Sequence, residues 1–264
     1  MNIQVMLMLL GLGGMVGFMA GLLGIGGGLL VVPALLHLLP LAGIDSSIVM
    51  NIALATSLST IIVTSGASAI NHLRLGNVDI FVIKWLMPGM IVGGFFGANI
   101  VEFIPASYLP PIFGCIVLAL AIQMLISIRI LAVKTMPNVP VTIMYGTGIG
   151  VISSLAGIGG GSISVPFLNK HGIEMRRAVG SSSVCGCVIA IAGMAGFILH
   201  GVGSELLPPY SVGYVYIPAL VSITATSMMT THLGAKFAVK ISTVTLKKLF
   251  AVFLLCIAIP MLIP

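Results

Sequence analysis

Charge is what this chain lacks. Only 6% of its 264 residues are Asp, Glu, Lys or Arg, where a soluble domain has about a quarter. The acids are Asp45, Asp79, Glu102, Glu174 and Glu205 alone. So little charge cannot cover a water-facing surface, which excludes an ordinary soluble globule. Long polar connections are scarce too, the longest lying near 132–140, so no soluble domain is expected. The opening MNIQVMLMLL has no basic n-region and no small-residue cleavage site after it, so a cleaved signal peptide is not expected. The four cysteines, Cys115, Cys185, Cys187 and Cys256, all fall in apolar stretches and read as small buried hydrophobes, not metal ligands. No P-loop and no G-x-S-x-G phrase occurs, which argues against direct ATP use and a serine hydrolase.

What is present is oil and glycine. Hydrophobic residues make up 59% of the chain and mean hydropathy is +1.25. Apolar stretches run at about 3–42, 47–71, 78–101, 107–130, 141–169, 177–199, 212–235 and 244–263. Most reach the roughly 20 residues that a bilayer core requires. The chain reads as an all-α polytopic membrane protein.

LLGIGGGLLVVP at 22–33 returns as LAGIGGGSISVP at 155–166, identical at eight of twelve positions. Gly17 and Gly150 share the offset of 133, and further matches follow as it drifts between 125 and 137. ATSL at 55–58 resembles GSSS at 180–183, RLGNV at 74–78 resembles SVGYV at 211–215, and GAN at 97–99 resembles GAK at 234–236. The chain therefore divides into a first repeat (1–131), a linker (132–140) and a second repeat (141–264).

Charge decides how the repeats face. If every apolar stretch crosses once, Arg74, Lys84, Arg129 and Lys134 lie opposite Lys170, Arg176, Arg177, Lys236, Lys240, Lys247 and Lys248. If each glycine-containing stretch instead turns back at GIGGG, all eleven basic residues fall on one side, facing Asp45, Glu102 and Glu205 on the other. The second arrangement satisfies the positive-inside rule. It predicts two inverted repeats, each a glycine-tipped re-entrant or broken helical hairpin plus three transmembrane helices. Basic loops are then cytoplasmic in a bacterial-type inner membrane, with both termini outside.

Glycines at membrane depth leave N–H groups bare, and the helix beginning after each run adds a positive dipole end. Gly26, Gly27 and Gly28, with Gly159, Gly160 and Gly161, thus form two tips suited to an anion. Pro33 and Pro166 would bend or shorten the helix leaving each tip. Thr56, Ser57, Ser181 and Ser182 fall at matching depth and can donate to anion oxygens, with Asn51 one turn before Thr56. No carboxylate lies deep in a helix, which disfavours a cation path. Isolated small residues such as Gly93 and Ser65 read as helix packing. His72 and His200 end matching helices and are the proton-coupling candidates; His37, His171 and His232 lie near helix ends.

Two G-[IV]-G-G-G-x-x-x-V-P phrases, each followed by a small-residue hydroxyl helix, resemble the TauE/SafE sulfite exporter family across nearly the whole chain. The resemblance implies a permease for a small anion such as sulfite or an organosulfonate, with motifs at Gly24 to Gly28 and Gly157 to Gly161. It extends to Ala55, Thr56 and Ser57, then to Gly180, Ser181 and Ser182, where Ser-Ser stands for the family's frequent Thr-Ser. The expectation is a secondary transporter working by alternating access, not an enzyme, without cofactor, metal or nucleic acid. A passive anion channel is the alternative, followed by a non-transporting scaffold or an intramembrane hydrolase. The bilayer and a small anion are the expected partners, and a homo-oligomer is compatible with the sequence.

Overall fold

A bilayer core offers backbone groups no hydrogen-bond partner, so a chain this apolar closes those bonds within helices. The computed structural model describes residues 3–23, 27–126, 135–238 and 243–262. The first half contains α1 (Ile3–Leu23), α2 (Gly28–Leu41), α3 (Ser46–Arg74), α4 (Ile80–Phe103) and α5 (Leu109–Ile126), the last entered through a 3-10 turn at Ala106–Tyr108. The second contains α6 (Val139–Leu155), α7 (Gly161–Lys170), α8 (Met175–Gly201), α9 (Ile217–Ala238) and α10 (Thr243–Leu262). Among them α1, α3, α4, α8 and the run through α5 are long and apolar enough to cross a membrane. The protein is a polytopic, nearly all-helical membrane protein.

Each long glycine-containing stretch is a broken helix, with α1 and α2 on either side of one break and α6 and α7 on either side of the other. Gly27, at φ 72°, caps α2, and Gly160, at φ 68°, caps α7. A side chain is costly in that left-handed region, so glycine holds both positions. The arms are unequal. With 21 residues α1 is long enough to cross, whereas α2 has 14, α6 has 17 and α7 has 10. The stretch expected at 212–235 opens instead with a short antiparallel hairpin, β1 (Ser211–Val212) and β2 (Val215–Tyr216), paired Ser211 to Tyr216 and Val212 to Val215. Hydropathy cannot separate these apolar residues from a helix; Gly213 supplies the turn at φ 54°.

Close packing uses backbone against backbone. A Cβ on Gly89, Gly93 or Gly97 of α4 would strike the carbonyls of Ile143, Thr147 or Val151 on α6, so the two helices run parallel in contact. Gly13 and Gly17 of α1 meet Ile223 and Ser227 of α9 in the same manner. Small residues at such faces let membrane helices approach closely. Equivalent helices, by contrast, run antiparallel. Along α3 and α8, His72 lies by Gly180, Ile62 by Cys187 and Leu58 by Gly193. Gly114 near the start of α5 meets Met261 and Leu262 at the end of α10.

The centre belongs to α3, 78% buried over its most apolar window against 33% for α1 and 44% for α4 and α8. Outer helices present large apolar side chains, such as Phe81, Phe103 and Met229. Cys185 is buried as expected, but Cys115 and Cys256 are exposed on α5 and α10. Apolar composition places a residue in a span without saying which face meets lipid.

Charges gather at two poles. At one, Arg74 ends α3 close to where Arg177 of α8 pairs with Asp79 at 3.4 Å. The last turns of α7 and α9 bring Lys170 and Lys236, and Lys84 lies 5.1 Å over the Trp85 ring in α4. Asp45 and Glu102 occupy the other pole. Asp45 caps α3 by accepting from Ser47 N at 2.8 Å, and the Ser47 hydroxyl and amide hold its carboxyl below the usual carboxylate range. Arg129, Lys134 and Lys240 lie outside the described residues.

Candidate functional site

The two hydroxyl pairs lie on the facing central helices, Thr56 and Ser57 on α3, Ser181 and Ser182 on α8. All four are buried. The first member of each pair does the same job. Thr56 Oγ1 accepts from Tyr216 N at 3.1 Å, immediately before α9. Ser181 Oγ accepts from Asp79 N at 2.8 Å, immediately before α4. A hydroxyl on α3 thus brackets the start of α9, and one on α8 brackets the start of α4.

The second members differ. Ser57 Oγ donates at 2.7 Å to the carbonyl of Gly157, in the second break, and faces the carbonyl of Gly28, at the first, at 3.2 Å. A hydroxyl has one proton to donate, so this is a shared bond joining both breaks. The breaks also touch directly, since a Cβ on Gly28 would lie 2.7 Å from Gly157 O. Ser57 and Ile61 stand near the middle of the 29-residue α3, so the breaks meet at mid-helix depth. Ser182 Oγ, by contrast, is buried with no hydrogen-bond partner among the described residues.

Ser182 lines a cavity of about 450 Å³, a volume typical of small-ligand sites. Gly159, Gly161, Ser65 and Ser182 form its deep part, while Asn71, His72 and His232 stand toward the basic pole. Asn71 and His232 are exposed, so this is the mouth. Among the described residues, none that lines it is Asp, Glu, Lys or Arg. The first turn of α7 has leading N–H groups without intrahelical partners, and Gly161 opens it on the cavity wall. What this wall can offer is hydrogen-bond donors and a helix dipole, both suited to a negative solute.

The sequence candidates therefore divide. Gly159, Gly160, Gly161, Ser181 and Ser182 cluster at or beside the cavity, with Gly160 fixing the left-handed cap. Gly27, Gly28, Thr56 and Ser57 lie in the packed contact next to it. Gly26 lies outside the described residues. Asn51 is elsewhere, at the acidic pole, where its Nδ2 and the Tyr214 hydroxyl each approach a Glu102 carboxylate oxygen at 3.4 Å. Burial, then the Glu102 charge, pushes the Tyr214 phenol up. His72 lines the cavity with Nδ1 buried and without a partner among the described residues, whereas His200 Nε2 donates to Asn99 Oδ1 at 2.6 Å at the opposite end. His37 and His171 each donate from Nδ1 to a carbonyl four residues back, at 2.8 Å.

Sequence reasoning missed Ser65, Ser68 and His232 as lining residues, and treated Ser65 as packing. Their signal was available: Ser65, Ser68 and His72 recur at spacings of three and four, one face of a helix. It missed Glu102 and Tyr214 too, because their meeting with Asn51 depends on the hairpin. Among the described residues no three His, Cys, Asp or Glu side chains converge as a metal site requires.

The family model described as Sulfite exporter TauE/SafE matches residues 9–261. A protein of Haemophilus influenzae named "Probable membrane transporter protein" is 43% identical over 250 residues, covering 94% of this chain and 95% of its own length. Proteins of the same printed description from Bacillus subtilis (YdhB) and Methanocaldococcus jannaschii are 31% and 29% identical, over 91% and 87% of this chain and 92% and 85% of theirs. No solved structure matches.

Proposed function

Since this chain belongs to the sulfite exporter TauE/SafE family, and is a membrane transporter and not an enzyme by that kinship, we propose that it exports a small anion such as sulfite or an organosulfonate by alternating access. The observation that supports this best is the Ser57 bridge between Gly28 and Gly157. It holds two bare-backbone breaks together at mid-helix depth, with a cavity ending at one of them. Access from one pole stops at a packed, hydrogen-bonded contact, the arrangement of a carrier and not of an open channel.

The antiparallel course of α3 against α8, and of α5 against α10, supports an inverted repeat, with residues 1–131 and 141–264 as its two copies. In that reading all eleven basic residues face the cytoplasm of a bacterial inner membrane and both termini lie outside. The cavity then opens inward, ready to load an anion for export. His72, at its mouth, is the proton-coupling candidate; His200 already has Asn99 as partner.

Magnitudes fit loose binding. A helix end contributes up to about 2 kcal/mol and a hydrogen bond to a charged group about 1.5–3 kcal/mol. Their sum, about 3.5–5 kcal/mol, corresponds to a dissociation constant of roughly 0.2–3 mM. Such a site releases its cargo readily. The test is counterflow in proteoliposomes: labelled sulfite should enter faster when unlabelled sulfite is trapped inside, with saturation. Currents without saturation or trans-stimulation would identify a channel, and no flux for any small anion would sink the transport reading.

A further inference from the structure

Repeat symmetry predicts two equivalent serine locks, and the described residues show one. Thr56 and Ser181 keep equivalent bonds to Tyr216 N and Asp79 N, so the frame around the pairs obeys the symmetry. Their neighbours do not. Ser57 reaches Gly157 O and Gly28 O. An offset of 133 maps those two glycines onto Gly24, outside the described residues, and Gly161. Ser182 should therefore bind the carbonyl of Gly161 as Ser57 binds that of Gly28. Its hydroxyl instead has no partner among the described residues, though the residue is only 2% exposed, and it lines the cavity that ends at Gly159 and Gly161.

A buried hydroxyl without a partner is costly and needs an explanation. Brackets that match beside serines that do not are also what a two-state carrier shows when caught in one state. We infer that Ser57 and Ser182 exchange roles. In the state described, Ser57 ties the breaks and seals the acidic pole, while Ser182, beside the first turn of α7, is the hydroxyl that meets an oxyanion. In the opposite state Ser182 ties the breaks and Ser57, beside the first turn of α2, meets the anion from the other side. The brackets at Thr56 and Ser181 persist in both states and hold the rocking halves in register.

This inference rests on the carrier reading, and its test separates the two. Val179 lines the cavity without belonging to either pair, so Val179→Cys serves as the probe. Purified protein in detergent is treated with a charged methanethiosulfonate, and the rate at position 179 is read by peptide mass spectrometry, which resolves it from the native cysteines. Ser57→Ala removes the lock of the described state and should slow labelling at 179 severalfold. Ser182→Ala removes the lock of the opposite state and should leave labelling at 179 as fast as in the parent or speed it, while abolishing the thermal shift given by sulfite. Ser57→Thr and Ser182→Thr, which retain a hydroxyl, should restore the parent values and show that the alanine variants fold.

Slowing by both alanine variants, or by neither, overturns the exchange. Opposite responses without sulfite counterflow by the parent protein would support the switch and remove the anion reading. Counterflow with equal responses would retain the carrier and remove the exchange.

Discussion

Ser57 Oγ lies 2.7 Å from the carbonyl oxygen of Gly157, one hundred residues further along the chain. That bond joins the two copies of the glycine phrase at the one place where an irregular backbone must find its partners inside the protein. It makes the breaks one unit, and disturbing either should affect both.

Gly160→Val tests the cap directly. The backbone there sits at φ 68°, and a Cβ would lie 2.6 Å from Ile189 Cδ1. A β-branched residue in the left-handed region should cost roughly 2 kcal/mol or more. The melting temperature should fall and sulfite should no longer shift it. Gly160→Ala should show a milder loss of both. If sulfite still stabilises Gly160→Val as it does the parent protein, the break is not the anion site.

Gly93→Leu addresses packing alone. Its side chain would enter the Thr147 carbonyl on α6, and neither residue lines the cavity. Overpacking typically costs 1–3 kcal/mol, so the melting temperature should drop while the sulfite-induced shift keeps its size. Loss of that shift would mean that Gly93 does more than admit α6.

Much of this was legible in the sequence. GIGGG marked both breaks because consecutive glycines inside an apolar run have no use in a helix, and Gly27 and Gly160 take the left-handed cap in both copies. The offset of 125 between ATSL and GSSS pairs Thr56 with Ser181, and each of the two accepts from the amide that precedes a long helix. Asn51 was misjudged because helical spacing put it near Thr56 in sequence, while its side chain meets Glu102, which only the packing of α3 against α4 and the 211–216 hairpin can reveal. The division of labour between Ser57 and Ser182 was not legible either. Identical chemistry in equivalent places takes different partners, and a sequence does not encode which of two states is populated.

Thr56→Val asks what the bracket is worth. The change removes the acceptor of the Tyr216 amide at a buried site and leaves that N–H unpaired, at about 1–3 kcal/mol. Thr56→Ser keeps the oxygen and should retain most of the stability. Chemical denaturation in mild detergent would measure both. Equal stability of Val and Ser variants would show that the Tyr216 amide finds another partner, and that the bracket is dispensable.

His72→Gln bears on energy coupling. Its Nδ1 is buried at the cavity wall without a partner among the described residues, with His232 across the mouth and the Asp79–Arg177 pair at the same pole. The protonated imidazole would place a positive charge at the cavity wall, near the anion. Sulfite KM should therefore fall severalfold as pH drops from about 8 to 5, after correction for the sulfite species present. His72→Gln should flatten that dependence while leaving kcat near the parent value, because glutamine keeps a donor but cannot titrate. His232→Gln, on the exposed rim, should retain most of the pH response. If the two variants respond alike and both keep the parent profile, protons are not coupled through this cavity.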